Sequence, residues 1–259
     1  MEENLDNKTR DALFEYCLRI GDDLLVLGHR LSEWCGHAPI LEEDIALANI
    51  ALDCIGQAEA YLKLAGEIEG AGRDEDALAY FRDEYEFKNI QLVEQPNGDF
   101  AVTIARQFLY DAYAVNFFDD LSKCAYKPLA DIASKSLVET KYHLRHSSQW
   151  TLRLGDGTEE SHDRIQNAVD KLWMFTGELF FMNDLDKFLV EKGYAPDIES
   201  IRTKWNKIVK DTFARATLNM PSDETYMATG AREGRHSEQL GHMLSEMQIT
   251  ARSHPGAKW

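Results

Sequence analysis

With 259 residues, 28 Lys+Arg, 45 Asp+Glu and a formal net charge of −17, the chain is long enough to bury a sizeable core. Its acidity excludes a nucleic-acid binder, which needs surface Lys/Arg to neutralise phosphates, and docking on anionic lipid through a basic patch. A hydrophobic share of 44% excludes global disorder.

The N-terminus, Met1 to Asp6, is acidic and lacks the apolar core of a secretory signal. No apolar run approaches the ~18 residues of a membrane span. Cys17, Cys35, Cys54 and Cys124 form no C-x-x-C pair and are too sparse for a disulfide scaffold, so we expect reduced thiols packed in helices of a cytoplasmic protein.

The chain reads as helical throughout. A first helix is expected from about Thr9 to Trp34. The helix after Pro39 carries one apolar row, Leu41, Ile45, Ala48, Leu52, Ile55 and Leu62, beside a second, Leu47, Ile50, Cys54, Ala58 and Tyr61. Two such rows predict burial over most of its girth. Glycines between Gly66 and Gly72 end it. A further helix is expected to start near Asp74 and to carry Leu78, Phe81, Tyr85 and Ile90. Others run from about Asp99 to Leu121, and from Pro128 to about Leu154. Thr158 is a candidate cap for the next, which carries Ile165, Val169, Leu172, Phe175 and Leu179. Asp197 opens another, and the last begins near Gly234. No alternating Val/Ile/Thr run supports a strand. Eight helices of ~20–30 residues joined by short turns predict one all-α domain over residues 1–259, a long-helix bundle.

Such a bundle raises the question of a di-metal centre, which needs one Glu from each of two helices and an E-x-x-H pair from each of two others. The two literal matches, Glu159/His162 and Glu233/His236, fall at helix starts, where acids favour the positive end of the dipole. The mid-helix positions are degraded. The second helix offers Asp53 and then Gly56, which has no ligand atom and is expected to admit a close neighbour. The helix after Pro128 offers Glu139 and then Tyr142, a poor ligand at neutral pH with a pKa near ~10. Glu139, His143, His146 and Trp150 share a face. A hydrogen-bonded or ion-paired histidine row is preferred there. The alternative is a stand-alone metal-binding oxidoreductase using Asp111, Glu139, His143 and His146. Phosphate-loop, dinucleotide and nucleophile-elbow motifs are missing, and the aromatics Tyr110, Tyr113, Phe117 and Phe118 read as core or interface.

Several long blocks together are more specific. They are Leu31-Ser-Glu-Trp-Cys-Gly-His-Ala-Pro39, Leu41-Glu-Glu-Asp-Ile-Ala-Leu-Ala-Asn-Ile-Ala-Leu-Asp53, Gly56-Gln-Ala58, Arg73-Asp-Glu-Asp-Ala-Leu-Ala-Tyr80 and Leu92-Val-Glu-Gln-Pro-Asn-Gly-Asp-Phe100. With them go Ile104-Ala-Arg-Gln107, Tyr142-His-Leu-Arg145, Leu154-Gly-Asp-Gly-Thr158, His236-Ser-Glu-Gln-Leu-Gly241 and Glu246-Met-Gln248. From about residue 13 to Trp259 the chain resembles the C subunits of phenylacetyl-CoA 1,2-epoxidases. The resemblance implies a ferritin-like fold and a place in a bacterial multicomponent monooxygenase that epoxidises the ring of phenylacetyl-CoA. It implies a di-iron site held by the homologous A subunit, and a reductase using NADPH, flavin and an iron–sulfur centre. The present chain is then metal-free and structural. The resemblance also implies acyl-CoA contacts at Glu86, Phe87, Lys88 and Asn89, and at Lys187, Phe188 and Leu189. A surface of charge −17 is a poor general attractor for the polyanion coenzyme A, so such contacts must be local.

Overall fold

Asp6 opens the first helix by accepting the Thr9 N–H on its carboxylate at 2.8 Å. That helix, α1 (Asn7–Ser32), pairs along α2 (Leu41–Glu69). Gly21 and Gly28 set the approach of the two. A Cβ on Gly28 would stand 3.1 Å from the Ala51 carbonyl and 2.9 Å from Ile55, so only glycine lets the backbones come this close. Gly70, at φ 69°, closes α2 in the left-handed region. A second long pair, α5 (Phe100–Leu121) and α6 (Lys127–Gly155), completes a four-helix bundle. Asp99 caps α5, and Pro128 sits in the first turn of α6, where its missing N–H costs nothing.

The computed structural model describes residues 5–222 and 224–257. Between the two pairs lie two short helices, α3 (Glu75–Tyr80) and α4 (Gln91–Glu94). After the bundle come α7 (Glu159–Leu172), α8 (Asp184–Glu191), α9 (Ile198–Arg215), α10 (Glu238–Met247) and α11 (Ile249–Ser253). Helices α7 and α9 cover α5 and α6, and α8 lies on α1. A chain of rings ties the bundle to this outer layer. Tyr16 meets Phe117, which stacks on Tyr113; Tyr113 meets Phe180, and Phe180 meets Trp205. Phe117, Phe118 and Phe180 are therefore core. No strand occurs, and no helix is long and apolar enough to cross a membrane, among the described residues.

The architecture is the expected all-α, ferritin-like bundle, with differences in detail. Eleven α-helices stand among the described residues where eight were expected, and only four are long. The helix expected to run through Leu78, Phe81, Tyr85 and Ile90 stops at Tyr80. A 3₁₀ turn at Glu84–Glu86 and an extended stretch follow, because long-range ion pairs hold that segment. Past Leu172 the α7 pattern tightens into a 3₁₀ turn, Trp173–Phe180. The last helix begins at Glu238, later than Gly234. The second apolar row of α2 is buried, whereas the first is fully buried only at Leu62. Leu41, Ile45 and Leu52 are 73%, 55% and 67% exposed, because α1, α3 and α6 pack on other parts of α2 and no described residue covers this side. Gly56 faces open space, so the close neighbour expected there is not found among the described residues. All four cysteines are free, and Cys35 is exposed in the turn after α1 rather than packed.

Candidate functional site

The bundle's midsection holds the chemistry the sequence singled out. Helices α2 and α6 run antiparallel, and their facing residues form matched hydrogen bonds. His143 Nε2 meets Asp53 Oδ2 at 2.9 Å, and Gln57 donates to Glu139 Oε2 at 2.7 Å. Further along, His146 Nε2 meets Glu43 Oε2 at 2.7 Å. On α5, Asp111 is 1% exposed and accepts from Gln107 Nε2 and from Ser147 Oγ of α6, both at 2.7 Å. Burial pushes the Asp111 carboxyl up to about 6, against the pull of nearby His143 and of its two hydrogen-bond donors.

These pairs decide what the seam can hold. A ferritin-like di-metal centre needs four carboxylates and two imidazoles converging on the bundle axis. Here Asp53, Asp111, Glu139, His143 and His146 are divided among separate pairs with protein partners. Tyr142 is 42% exposed on the outer face of α6. The buried acids of α1, Asp22 and Asp23, are committed to Arg82 and Arg232. Among the described residues no three His, Cys, Asp or Glu side chains cluster so as to hold a metal ion. The donor set does not fit a di-iron centre.

The two segments singled out for acyl-CoA lie at different heights along α1. The first is held from within. Asp22 accepts the Lys88 N–H at 2.8 Å and the Arg82 guanidinium, and Asp23 accepts the Ile90 N–H and Arg232. Phe87 is fully buried beneath Arg82, whose guanidinium lies 4.3 Å from the ring centroid. Asn89 is fully buried and donates to Glu94. Glu86 caps the Asp83 N–H. Only Glu86 and Lys88 of this segment present side chains partly to solvent. In the second segment Lys187 is exposed and pairs with Asp184, and Leu189 is buried. Phe188 lies between Lys8 and Lys192. Lys8 and Asp22 are about 21 Å apart along the axis of α1 at 1.5 Å per residue, so the segments do not converge on one pocket.

Sequence reasoning missed the hub beneath the first segment. Glu94 and His236 side chains are fully buried, with Nδ1 of the imidazole 2.5 Å from Glu94 Oε1 and Nε2 2.9 Å from the Phe87 carbonyl. Burial pulls the imidazole down, but the hydrogen bond and charge of Glu94 outweigh it and raise its pKa. Glu178 similarly accepts the backbone N–H groups of Gln91 and Ala231. The one available signal was the Asp22-Asp23 pair inside a buried helix, since buried acids require partners.

A cavity of about 40 Å³ opens beside this hub, lined by Tyr16, Tyr110, Tyr113, Arg19, Arg232 and Met182 among others. That is room for a few waters, far short of an acyl-CoA. None of the seven residues named for acyl-CoA contact lines it.

A structure from Synechococcus, "Protein 19 with aldehyde deformylating oxidase activity", aligns with a TM-score of 0.59 at 14% identity, covering 83% of this chain and 93% of that one; the likeness is one of fold. The C subunit of the 1,2-phenylacetyl-CoA epoxidase of Escherichia coli (strain K12) is 50% identical over 249 residues, 96% of this chain and all of that protein. The family model described as "Phenylacetic acid catabolic protein" matches residues 1–259, and the chain belongs to that family.

Proposed function

We propose that this chain is a non-catalytic subunit of a multicomponent di-iron monooxygenase that epoxidises the ring of phenylacetyl-CoA. It pairs with a homologous A subunit that holds the iron, and electrons reach that site from NADPH through a flavin and iron–sulfur reductase. The half-identical relative, named as the C subunit of such an epoxidase, supports membership of the assembly. One observation of this chain supports the structural role: the bundle seam is closed by protein–protein hydrogen bonds at Asp53–His143, Gln57–Glu139 and Asp111–Ser147. These pairs stabilise the seam against the cost of about 1–3 kcal/mol for each buried polar atom left unpaired, a cost that Gln57 Oε1, Gln107 Oε1 and His146 Nδ1 still carry among the described residues. A metal ion entering here would first have to break them.

The cavity beside Tyr16 and Arg232, about 40 Å³, is too small for phenylacetyl-CoA, and a more open hollow of about 410 Å³ lies at the surface between Asp83, Glu84 and the α10–α11 segment. Of the seven residues named for acyl-CoA contact, Glu86, Lys88, Lys187 and Phe188 reach solvent, and they meet the substrate in company with residues of the A subunit. The test is iron loading of the purified chain with anaerobic Fe(II), followed by desalting and metal analysis. Well below one iron per chain, and no epoxide from phenylacetyl-CoA with reductase and O₂, is expected. Two irons per chain with turnover by this chain alone would refute the proposal.

A further inference from the structure

The extended segment 87–90 belongs to no helix or strand, so its backbone groups need partners from elsewhere. The N–H groups of Lys88 and Ile90 go to Asp22 and Asp23 of α1. Two of its carbonyls go to the C-terminal stretch 231–237. Arg232 donates to the Lys88 carbonyl at 2.6 Å and to both carboxylate oxygens of Asp23. Further along the same stretch His236 repeats the pattern, with Nε2 on the Phe87 carbonyl and Nδ1 on Glu94. Each of two neighbouring carbonyls is thus tied by a basic side chain to a buried acid.

The geometry fixes the charge of His236. A carbonyl and a carboxylate oxygen only accept, so both ring nitrogens donate and the ring is an imidazolium. Glu94 is filled as an acceptor: Asn89 Nδ2 and His236 Nδ1 reach Oε1, and the Ser237 N–H and hydroxyl reach Oε2. Both side chains are fully buried, so solvent does not replace a donor that is lost. A neutral ring would set one nitrogen lone pair against an oxygen with nothing to relieve it.

We propose that His236 is a positioning residue: as an imidazolium it holds the Phe87 carbonyl, and so sets where the flanking side chains of Glu86 and Lys88 stand toward phenylacetyl-CoA. The inference rests on the reading that these two side chains, which reach solvent, meet the substrate. The guanidinium of Arg232 holds the Lys88 carbonyl at every working pH, whereas an imidazole can give up its charge. The groups facing the ring are Glu94 of α4 and Asp22 of α1, the latter also held by Arg82. Arg30 lies on the Glu94 backbone carbonyl, and Arg235 pairs with Glu233 instead. Burial opposes the charge on the ring, but the bond and charge of Glu94, the Phe87 carbonyl and Asp22 outweigh it and raise its pKa. The hold on Phe87 is therefore fully present below about pH 6.5 and is lost as pH rises through the raised value. Its loss frees the Phe87 end of the segment and leaves Lys88 tied to Arg232.

The test has two arms. Hydrogen exchange of the full chain, corrected for the intrinsic pH dependence of exchange, should quicken at residues 86–88 by about tenfold or more between about pH 6 and about pH 9. His236→Gln keeps a donor without the charge, and should show the quick rate at both ends of that range. In the reconstituted epoxidase assembly, His236→Gln should raise KM for phenylacetyl-CoA about fivefold with kcat within about twofold, and should abolish the alkaline rise in KM that the unaltered assembly shows. Helical circular dichroism checks that the variant folds, and the pH series on the unaltered chain needs no variant. Exchange at residues 86–88 that ignores pH would overturn the positioning role. Quickened exchange with an unchanged KM would instead overturn the reading that this segment meets the substrate, and the proposal with it.

Discussion

Arg82→Ala is expected to destabilise the fold by about 3–5 kcal/mol, the cost of leaving a buried carboxylate without its counter-ion. Asp22 and Arg82 side chains are 0% and 3% exposed, so solvent cannot replace the missing guanidinium. Arg82 also donates to the Leu78 and Glu86 carbonyls and covers the Phe87 ring, so one truncation frees the whole bend from α3 into the extended segment. Urea denaturation followed by circular dichroism measures the loss. Asp22→Asn with Arg82→Met should be milder than Arg82→Ala alone, because asparagine can still accept the Lys88 N–H and no charge is left buried. Hydrogen exchange should quicken at residues 83–90 in Arg82→Ala before it does so in the bundle helices. A loss below about 1 kcal/mol would mean that the pair does not pin the segment.

Asp111→Asn is expected to stabilise the chain at neutral pH by about 3 kcal/mol, the equivalent of moving a carboxyl from its unfolded value near 3.9 up to about 6. A folded-state pKa above the unfolded one means that the folded chain binds the extra proton. The contribution is therefore most favourable below about pH 4 and is lost as pH rises through about 6. Asparagine keeps the geometry: its carbonyl accepts from Gln107, and its amide donates to Ser147, whose hydroxyl can turn. The advantage of the variant should shrink towards zero near pH 4 and reach its plateau above about pH 6.5. An advantage independent of pH would show that Asp111 does not titrate in that range.

The bundle was legible because long apolar rows at helical spacing are local. The first helix, the caps at Asp99, Thr158 and Asp197 and the four long elements could be read within a window of a few turns. The stretch from Phe81 to Ile90 carried the same spacing and misled, because its conformation is decided by Asp22, Asp23 and Arg232, with Arg232 and Asp23 lying 209 residues apart. Asp53, Glu139, His143 and His146 were visible as a polar face. Their partners Gln57, Glu43 and Ser147 were not, since one helix's periodicity says which way a residue points and not what stands opposite. Glu94 escaped for the same reason, and His236 was visible only as half of the Glu233/His236 match, since only the fold buries it against Glu94. Leu41, Ile45 and Leu52 looked like core because an apolar row has the same spacing whether or not the fold covers it.

The most direct test of the structural role is turnover by the reconstituted epoxidase assembly containing this chain with Asp53→Asn, Glu139→Gln and His143→Gln together. These changes keep hydrogen-bonding groups in the seam while removing its metal-ligating character, and size-exclusion chromatography verifies that the assembly still forms. The account predicts phenylacetyl-CoA epoxidation within about twofold of the unaltered assembly, and a loss of about a hundredfold or more in the intact assembly would contradict it.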